Sequence, residues 1–323
     1  MTHQSPIQKT QFKGVLMLLL TALIWGASFV AQSVGLDIIG SFTFNGIRTL
    51  MGVAVLTPFI LIRDKRSARF MTEAQLQDRK LANKKALRYG LILGVVFCLA
   101  SNFQQYSLHD SAPGKIAFIT ALYMFFVPFF GLFLKKKVPL LTWICVLFGF
   151  VGLYFLCITP GDIQQAISKS DLLAIIGSVI FAVHILLIER YAPEVDGIKL
   201  SCIQFAVSGV LSCILMFLFE NPQLAAIQTA MIPLLYAGVM SCGIAYTFQI
   251  VGQKYTEATV ASLILCTESV FGVLAAAVIL HQTLSVREIL GCAIMFVAIV
   301  LSQLSEVITN RLSKKSSQPF SKA

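Results

Sequence analysis

A run of apolar residues near the start of the chain decides the fold. Residues 14–34 read GVLMLLLTALIWGASFVAQSV and hold no charged side chain. A helix of this length extends about 30 Å, the thickness of the hydrocarbon core of a bilayer. The run is longer than the apolar part of a cleaved signal peptide and further apolar runs follow it, so we interpret it as a membrane span.

Similar runs recur along the whole chain. Of its 323 residues, 57% are hydrophobic and only 12% are charged, whereas a soluble domain has about 25% charged residues. The runs lack the alternating polarity of a lipid-facing barrel. The sequence therefore predicts an all-α integral membrane protein with ten transmembrane helices. We place them at 14–34, 41–62, 89–108, 116–134, 138–158, 171–188, 200–219, 231–252, 258–280 and 286–308.

Basic residues predict the orientation in the membrane. With the N-terminus in the cytosol, all but four of the 25 Lys and Arg residues are cytosolic, as the positive-inside rule requires. The exceptions are Lys115, Lys169 and Arg287 on the opposite face and Arg48 inside a span. We therefore expect a multi-pass protein of the cell (cytoplasmic) membrane with both termini cytosolic. The net charge of +10 is spread over short connections, so no nucleic-acid partner is expected.

Three polar segments complete this topology: a cytosolic N-terminal segment, 1–13, a cytosolic tail, 309–323, and a basic cytosolic loop, 63–88. The loop carries nine basic and three acidic residues. It has two interpretations, a solvated loop or an interfacial helix attracted to anionic lipid headgroups.

The two halves of the chain resemble each other. A shift of 145 residues brings Gln104 onto Gln249 and superposes the third to fifth spans on the eighth to tenth. For the first two spans a shift of 156 brings Trp25 onto Phe181. We therefore predict two five-helix repeats, 14–158 and 171–308. Because five is odd, the repeats are inverted, an arrangement typical of secondary transporters.

Reactive motifs are missing from the sequence. Gly114-Lys115 is followed by Ile116 rather than by the hydroxyl residue of a nucleotide-binding loop. The eight Cys residues all lie inside predicted spans without metal-ligand spacing. We therefore expect no enzyme, no catalytic residues, no metal and no cofactor.

Two charged residues lie inside apolar spans. Arg48 lies about 10 Å deep in the second span, and Glu268 lies about 15 Å deep in the ninth. Each charge costs about 2.5 to 3.5 kcal/mol on insertion scales, so each is expected to face a cavity or a partner. Arg48 is either a structural anchor or a contact to substrate or gate. Glu268 is either a hydrogen-bonded structural acid or a carboxyl that contacts a cationic substrate or couples transport to protons.

Other polar and aromatic residues within spans are candidates to line a cavity. Each also has a packing interpretation, since amides bridge membrane helices and aromatic rings fill cores. His184 is interpreted as a packed side chain, and Gly90 with Gly94 as a site of close helix contact. The candidates beside Arg48 and Glu268 are Trp25, Asn45, Asn102, Gln104, Tyr123, Gln204, Tyr246 and Gln249.

Several stretches resemble a known family. They are Leu23-Ile-Trp-Gly-Ala-Ser-Phe-Val30, Gly46-Ile-Arg48, and Thr267-Glu268-Ser-Val-Phe-Gly272 followed by Gly291. Together with the span count, they resemble the EamA-type drug/metabolite transporter superfamily over residues 10 to 308. The resemblance implies a permease without ATPase domains that moves small metabolites, often exporting amino acids or related compounds. It also implies a central cavity shared by both repeats.

The sequence thus predicts a secondary transporter of small organic metabolites whose partners are the lipid bilayer and a small-molecule substrate, with a homodimer left open. Two other interpretations remain. A membrane-embedded enzyme acting on lipid or prenyl substrates also buries polar groups in helices, and a non-transporting assembly subunit shares the same hydropathy.

Overall fold

The computed structural model describes residues 6–109, 113–136, 138–158, 168–279 and 285–316. Every regular element within these residues is helical, as predicted. The α-helices are α1 (Pro6–Leu36), α2 (Ser41–Ala68), α3 (Glu73–Ser107), α4 (Pro113–Thr120), α5 (Tyr123–Phe133), α6 (Leu140–Cys157), α7 (Lys169–Tyr191), α8 (Gly197–Phe219), α9 (Leu224–Thr229), α10 (Met231–Leu235), α11 (Tyr246–Gly252), α12 (Ala258–Leu265), α13 (Glu268–Ile279) and α14 (Val286–Ser316). A 3₁₀ turn at Ala192–Glu194 follows α7, and a π-helical segment at Tyr236–Ala245 joins α10 to α11.

Eight helical stretches of the described chain are long and apolar enough to cross a membrane, and Ala258–Gly272 is a shorter ninth. With α14 as the last helix, the chain is an all-helical membrane protein of eight to ten apolar helices. The fourth predicted span is divided between α4 and α5, and the ninth between α12 and α13. The predicted terminal segments, 1–13 and 309–323, lie partly outside the described residues.

The basic segment 63–88, for which a solvated loop and an interfacial helix were both open, is mostly helical. Helix α2 continues to Ala68 and α3 begins at Glu73, so only the residues between them form a turn. A capping box starts α3: the Gln75 backbone N–H donates to Thr72 Oγ1 (3.4 Å), and the Thr72 N–H donates to Gln75 Oε1 (2.9 Å). These bonds satisfy two N–H groups at the helix start. A short turn is therefore enough to connect α2 to α3.

The contacts between the two halves are symmetric: each span contacts the equivalents of the spans that its own equivalent contacts. The third span packs on the sixth and seventh, and the eighth packs on the first and second. The fourth packs on the sixth as the ninth packs on the first, while the second pairs with the seventh and the fifth with the tenth. This is the packing expected of a duplicated unit.

Glycine lets the fifth and tenth spans touch through their backbones. A Cβ built on Gly152 would lie 2.9 Å from the Gly291 oxygen, and one on Gly291 would lie 2.7 Å from the Gly152 oxygen. Small residues permit such approach between membrane helices. Gly90 and Gly94 do the same for α3 and α8, as predicted, because a Cβ on either would lie 2.5 Å from a side chain of α8.

Candidate functional site

Two helix breaks meet in the middle of the molecule. Helix α4 ends at Thr120 and α5 begins at Tyr123, while α12 ends at Leu265 and α13 begins at Glu268. The breaks are 145 residues apart, the shift that relates the two repeats. The Cys266 thiol donates a hydrogen bond to the Ala121 carbonyl oxygen (3.5 Å), so the breaks touch. Broken helices near the midplane are where transporters form their substrate sites.

A cavity lies beside these breaks, and each half of the chain contributes seven of its lining residues. Its walls come from seven of the ten spans, and both residues that begin a helix after a break face it. The cavity is therefore shared by the two repeats, as the family resemblance implies. The lining residues are Trp25, Phe29, Gln32, Arg48, Gln104, Thr120, Tyr123, Phe181, Ile185, Ser241, Tyr246, Gln249, Leu265 and Glu268.

The lining residues correspond in pairs between the halves. The shift of 145 brings Gln104 onto Gln249 and Tyr123 onto Glu268, and all four residues line the cavity. The shift of 156 relates Trp25 to Phe181, which face the cavity as well. The cavity thus lies where the two repeats contribute equivalent positions, although the side chains at those positions have diverged.

The cavity holds two ionisable side chains without ionic partners. Arg48 is 1% exposed and Glu268 is 4% exposed. No group of opposite charge within the described ranges lies within ion-pair distance of either residue. The Arg48 guanidinium lies 5.7 Å from the centre of the Phe44 ring, and its Nε has no hydrogen-bond partner. Buried charges are normally paired, and Arg48 lacks such a partner among the described residues.

Neutral polar atoms in the cavity also lack partners. Within the described residues, Trp25 Nε1 and Thr120 Oγ1 are buried without a hydrogen bond. The same holds for Oε1 of Gln32 and Oε1 of Gln249. Most buried polar atoms in folded proteins are hydrogen-bonded, so these atoms are available to a bound molecule or to water.

Aromatic rings form one side of the cavity. The Trp25 and Tyr246 ring centroids are 4.4 Å apart, and Phe97 meets Tyr246 edge to face at 4.8 Å. Phe205 completes the cluster, 5.4 Å from Phe97 and 5.7 Å from Tyr246. Such packing fixes the orientation of Trp25 and Tyr246, and leaves an apolar surface beside the charged groups.

Seven predicted residues come together in this cavity and three do not. Asn45 lies outside it and donates through Nδ2 to Asn102 Oδ1 (2.9 Å). Asn102, also outside, donates to Ser212 Oγ (2.9 Å), which ties α3 to α8. Gln204 Oε1 pairs with His184 Nε2 (2.7 Å) between α7 and α8. These amides are occupied in helix-to-helix bonds, so we interpret them as bridges rather than lining residues.

Sequence reasoning missed seven lining residues. Phe29 and Gln32 are four and seven positions after Trp25, so they share its helix face and that spacing could have identified them. Ile185 follows Phe181 by four in the same way. Nothing in the sequence marks Ser241, which lies in the π-helical segment, a feature that often accompanies functional sites. The complete set of missed residues is Phe29, Gln32, Thr120, Phe181, Ile185, Ser241 and Leu265.

Known proteins share this architecture. A relative from Archaeoglobus fulgidus is 24% identical, over 89% of this chain and 84% of its own length. Another, from Clostridium kluyveri, is 20% identical over 94% of this chain and 96% of its own length. Both are described as uncharacterized transporters. A protein of known crystal structure, 18% identical, superposes with a TM-score of 0.74 over 93% of this chain and 98% of that one, which supports the fold.

The family model of the EamA-like transporters matches the chain twice, at residues 12–158 and 168–304. The two matches cover nearly all of the sequence and fall one on each half. They confirm the resemblance that the first, second and ninth spans suggested. The chain belongs to the EamA-like transporter family.

Proposed function

We propose that this chain is a secondary transporter of small organic metabolites, amino acids or related compounds foremost, and that it exports them from the cytosol. Family membership makes it a transporter, and the substrate class and direction are the proposal. The observation that carries it is the pair of buried ionisable side chains without ionic partners, Arg48 from the first half and Glu268 from the second, in one shared cavity.

The chemistry of the cavity suits a zwitterion. A guanidinium binds a carboxylate through two parallel hydrogen bonds, and a carboxylate accepts hydrogen bonds from an ammonium group. Phe29 and Phe181 give an apolar wall for a side chain between these two ends. A solute with both charges would satisfy groups that are otherwise buried at a cost.

The mechanism follows from the two related halves. Each half can adopt the position of the other, so exchanging their conformations opens the cavity first to one side of the membrane and then to the other. The short turns before Tyr123 and Glu268 are the positions at which α5 and α13 would bend relative to α4 and α12 during this exchange. Glu268 would then couple transport to protons if it releases its proton on one side only.

The membrane and the orientation are also proposed. The ends of α2 and α3 that carry the basic segment 63–88 are placed in the cytosol by the positive-inside rule. This puts both termini in the cytosol and the chain in the cell membrane. A reporter fused to each terminus tests it, and termini on opposite sides would contradict it.

Counterflow into proteoliposomes tests the function directly. Vesicles loaded with one unlabelled amino acid should accumulate the labelled compound from outside, and a panel of amino acids and other metabolites identifies the substrate. Arg48→Gln should reduce accumulation while inserting normally. If the purified chain gives no counterflow with any solute but modifies lipid, or only stabilises a partner complex, the transporter proposal fails in favour of the enzyme or the assembly subunit.

A further inference from the structure

Besides the cavity, a surface groove lined by apolar and polar side chains lies at the end of α2. It is formed by the last three turns of α2 and the turn that follows. Three large apolar side chains face it and are exposed: Phe59 (53%), Ile62 (55%) and Phe70 (88%). Arg63, Arg66 and Ser67 complete its lining. The proposed transport function uses none of these residues.

The position of the groove along α2 matches the boundary of the bilayer. Helix α2 has 28 residues, so it extends about 42 Å, about 12 Å more than the hydrocarbon core. Counted from Ser41, the core ends after about 20 residues, near Leu61. On this count Phe59 would lie at the depth of the acyl chains and Arg66 about 7 Å beyond them, at the level of the phosphates.

The charge at this groove is positive and not neutralised by the protein. Arg63 forms ion pairs with Asp64 (3.5 Å) and with Asp196 (2.8 Å). Asp64 is paired with Lys199 as well. Arg66 has no ion pair with any acid of the described residues. Asp64 and Asp196 are thus already engaged, and Arg66 is left without an ionic partner among the described residues.

One more acid lies near the groove but on its other side. Asp78 lines a neighbouring depression with Met71 and Gln75, and both depressions share Ser67 and Phe70 as their common wall. An anionic headgroup is therefore directed to the Arg66 side of Phe70, away from Asp78.

We propose that this groove binds one anionic phospholipid, with its phosphate on Arg66 and Ser67 and one acyl chain along Phe59 and Ile62. The charge of Arg66 complements the lipid phosphate, and the apolar side chains of Phe59 and Ile62 complement the acyl chain. Each contact lies at the depth of the lipid group that it binds. Arg63 approaches the same groove with its guanidinium 5.9 Å from the Phe59 ring centre, which holds it beside the headgroup.

Native mass spectrometry of the full chain tests this site. The protein is purified in detergent and titrated with phosphatidylglycerol or with phosphatidylcholine of the same chain length. We expect the unchanged protein to retain phosphatidylglycerol in preference. Arg66→Gln should weaken that retention about fivefold, which corresponds to the ~1 kcal/mol of one basic residue near a lipid surface. Phe59→Ser should weaken both lipids, because it removes the acyl wall.

Lys84→Gln is the matched control. Lys84 is exposed on α3 within the same basic segment but outside the groove, so this variant removes an equal charge and should bind as the unchanged protein does. If Arg66→Gln and Lys84→Gln lose phosphatidylglycerol binding equally, the binding depends on the overall positive charge of the segment, and the proposal is overturned. It is also overturned if inorganic phosphate displaces the lipid as well as phosphatidylglycerol does. A change of oligomer mass in Arg66→Gln without any lipid binding would instead assign the groove to a second copy.

Discussion

Replacing Arg48 with Gln separates a binding role from an anchoring role, because the two roles predict opposite changes in stability. Arg48 is 1% exposed and has no ion-pair partner among the described residues. An unpaired Arg within a span costs about 2.5 to 3.5 kcal/mol on insertion scales. Gln is neutral, so the variant should unfold at the same temperature as the unchanged protein or at a higher one.

Binding should change in the other direction. A hydrogen bond to a charged group contributes about 1.5 to 3 kcal/mol, so losing the Arg48 contact should raise the Kd for a carboxylate substrate about 10- to 150-fold. Thermal unfolding in detergent gives the stability, and substrate-concentration curves of counterflow give the affinity. Arg69→Gln is the control, because Arg69 is exposed on the turn after α2.

One result would refute this reasoning. If Arg48→Gln lowers the unfolding temperature by several degrees and leaves the affinity unchanged, the guanidinium is a structural anchor. The substrate carboxylate would then need another cationic group, and no other Lys or Arg borders the cavity within the described residues. A loss of both properties would point to an anchor that also shapes the cavity.

Three further changes test the same structure. If the Glu268 carboxyl couples transport to protons, uptake by Glu268→Gln should not change when the proton gradient is collapsed. Uptake by the unchanged protein that also does not depend on the gradient would contradict coupling. Gly152→Ala should lower the unfolding temperature, because its Cβ would meet Met295 Cγ at 2.7 Å and overpacking costs about 1 to 3 kcal/mol; Gly131→Ala, whose nearest neighbour would be 3.8 Å away, should have no such cost. Asp171→Asn should destabilise the protein, since it leaves Lys115 without its partner in a pair whose side chains are only 13% and 5% exposed, and an unchanged unfolding temperature would refute that role.

Hydropathy predicted the spans and the repeat well, because lipid demands long apolar helices whatever the details of packing. The shift of 145 residues also predicted that Gln104 and Gln249 occupy equivalent positions, and the structure places both on the cavity. The polar segment 63–88 was harder to predict. Its low hydropathy indicated a loop, but two helices run through it and meet in a tight capped turn.

The helix breaks were beyond reach of the sequence. Residues 119–123 and 264–268 contain neither Gly nor Pro, the residues that usually mark such interruptions. The breaks depend instead on where the two spans meet, as the bond from Cys266 to Ala121 shows. Apolar lining residues were missed for a similar reason, since Phe29 or Leu265 looks like any other apolar residue until its neighbours are known.

The cavity combines a symmetric scaffold with asymmetric chemistry, and this difference bears on how a substrate binds. Tyr123 in the first half corresponds to Glu268 in the second, and Arg48 corresponds to Gln204, which is withdrawn from the cavity by its bond to His184. Two identical halves would offer a solute two equivalent orientations. Placing the cation on one repeat and the anion on the other leaves one favourable orientation for a dipolar solute, because the reverse orientation would bring like charges together. In the proposed mechanism, duplication supplies the two exchangeable conformations, and divergence at these positions supplies the selectivity.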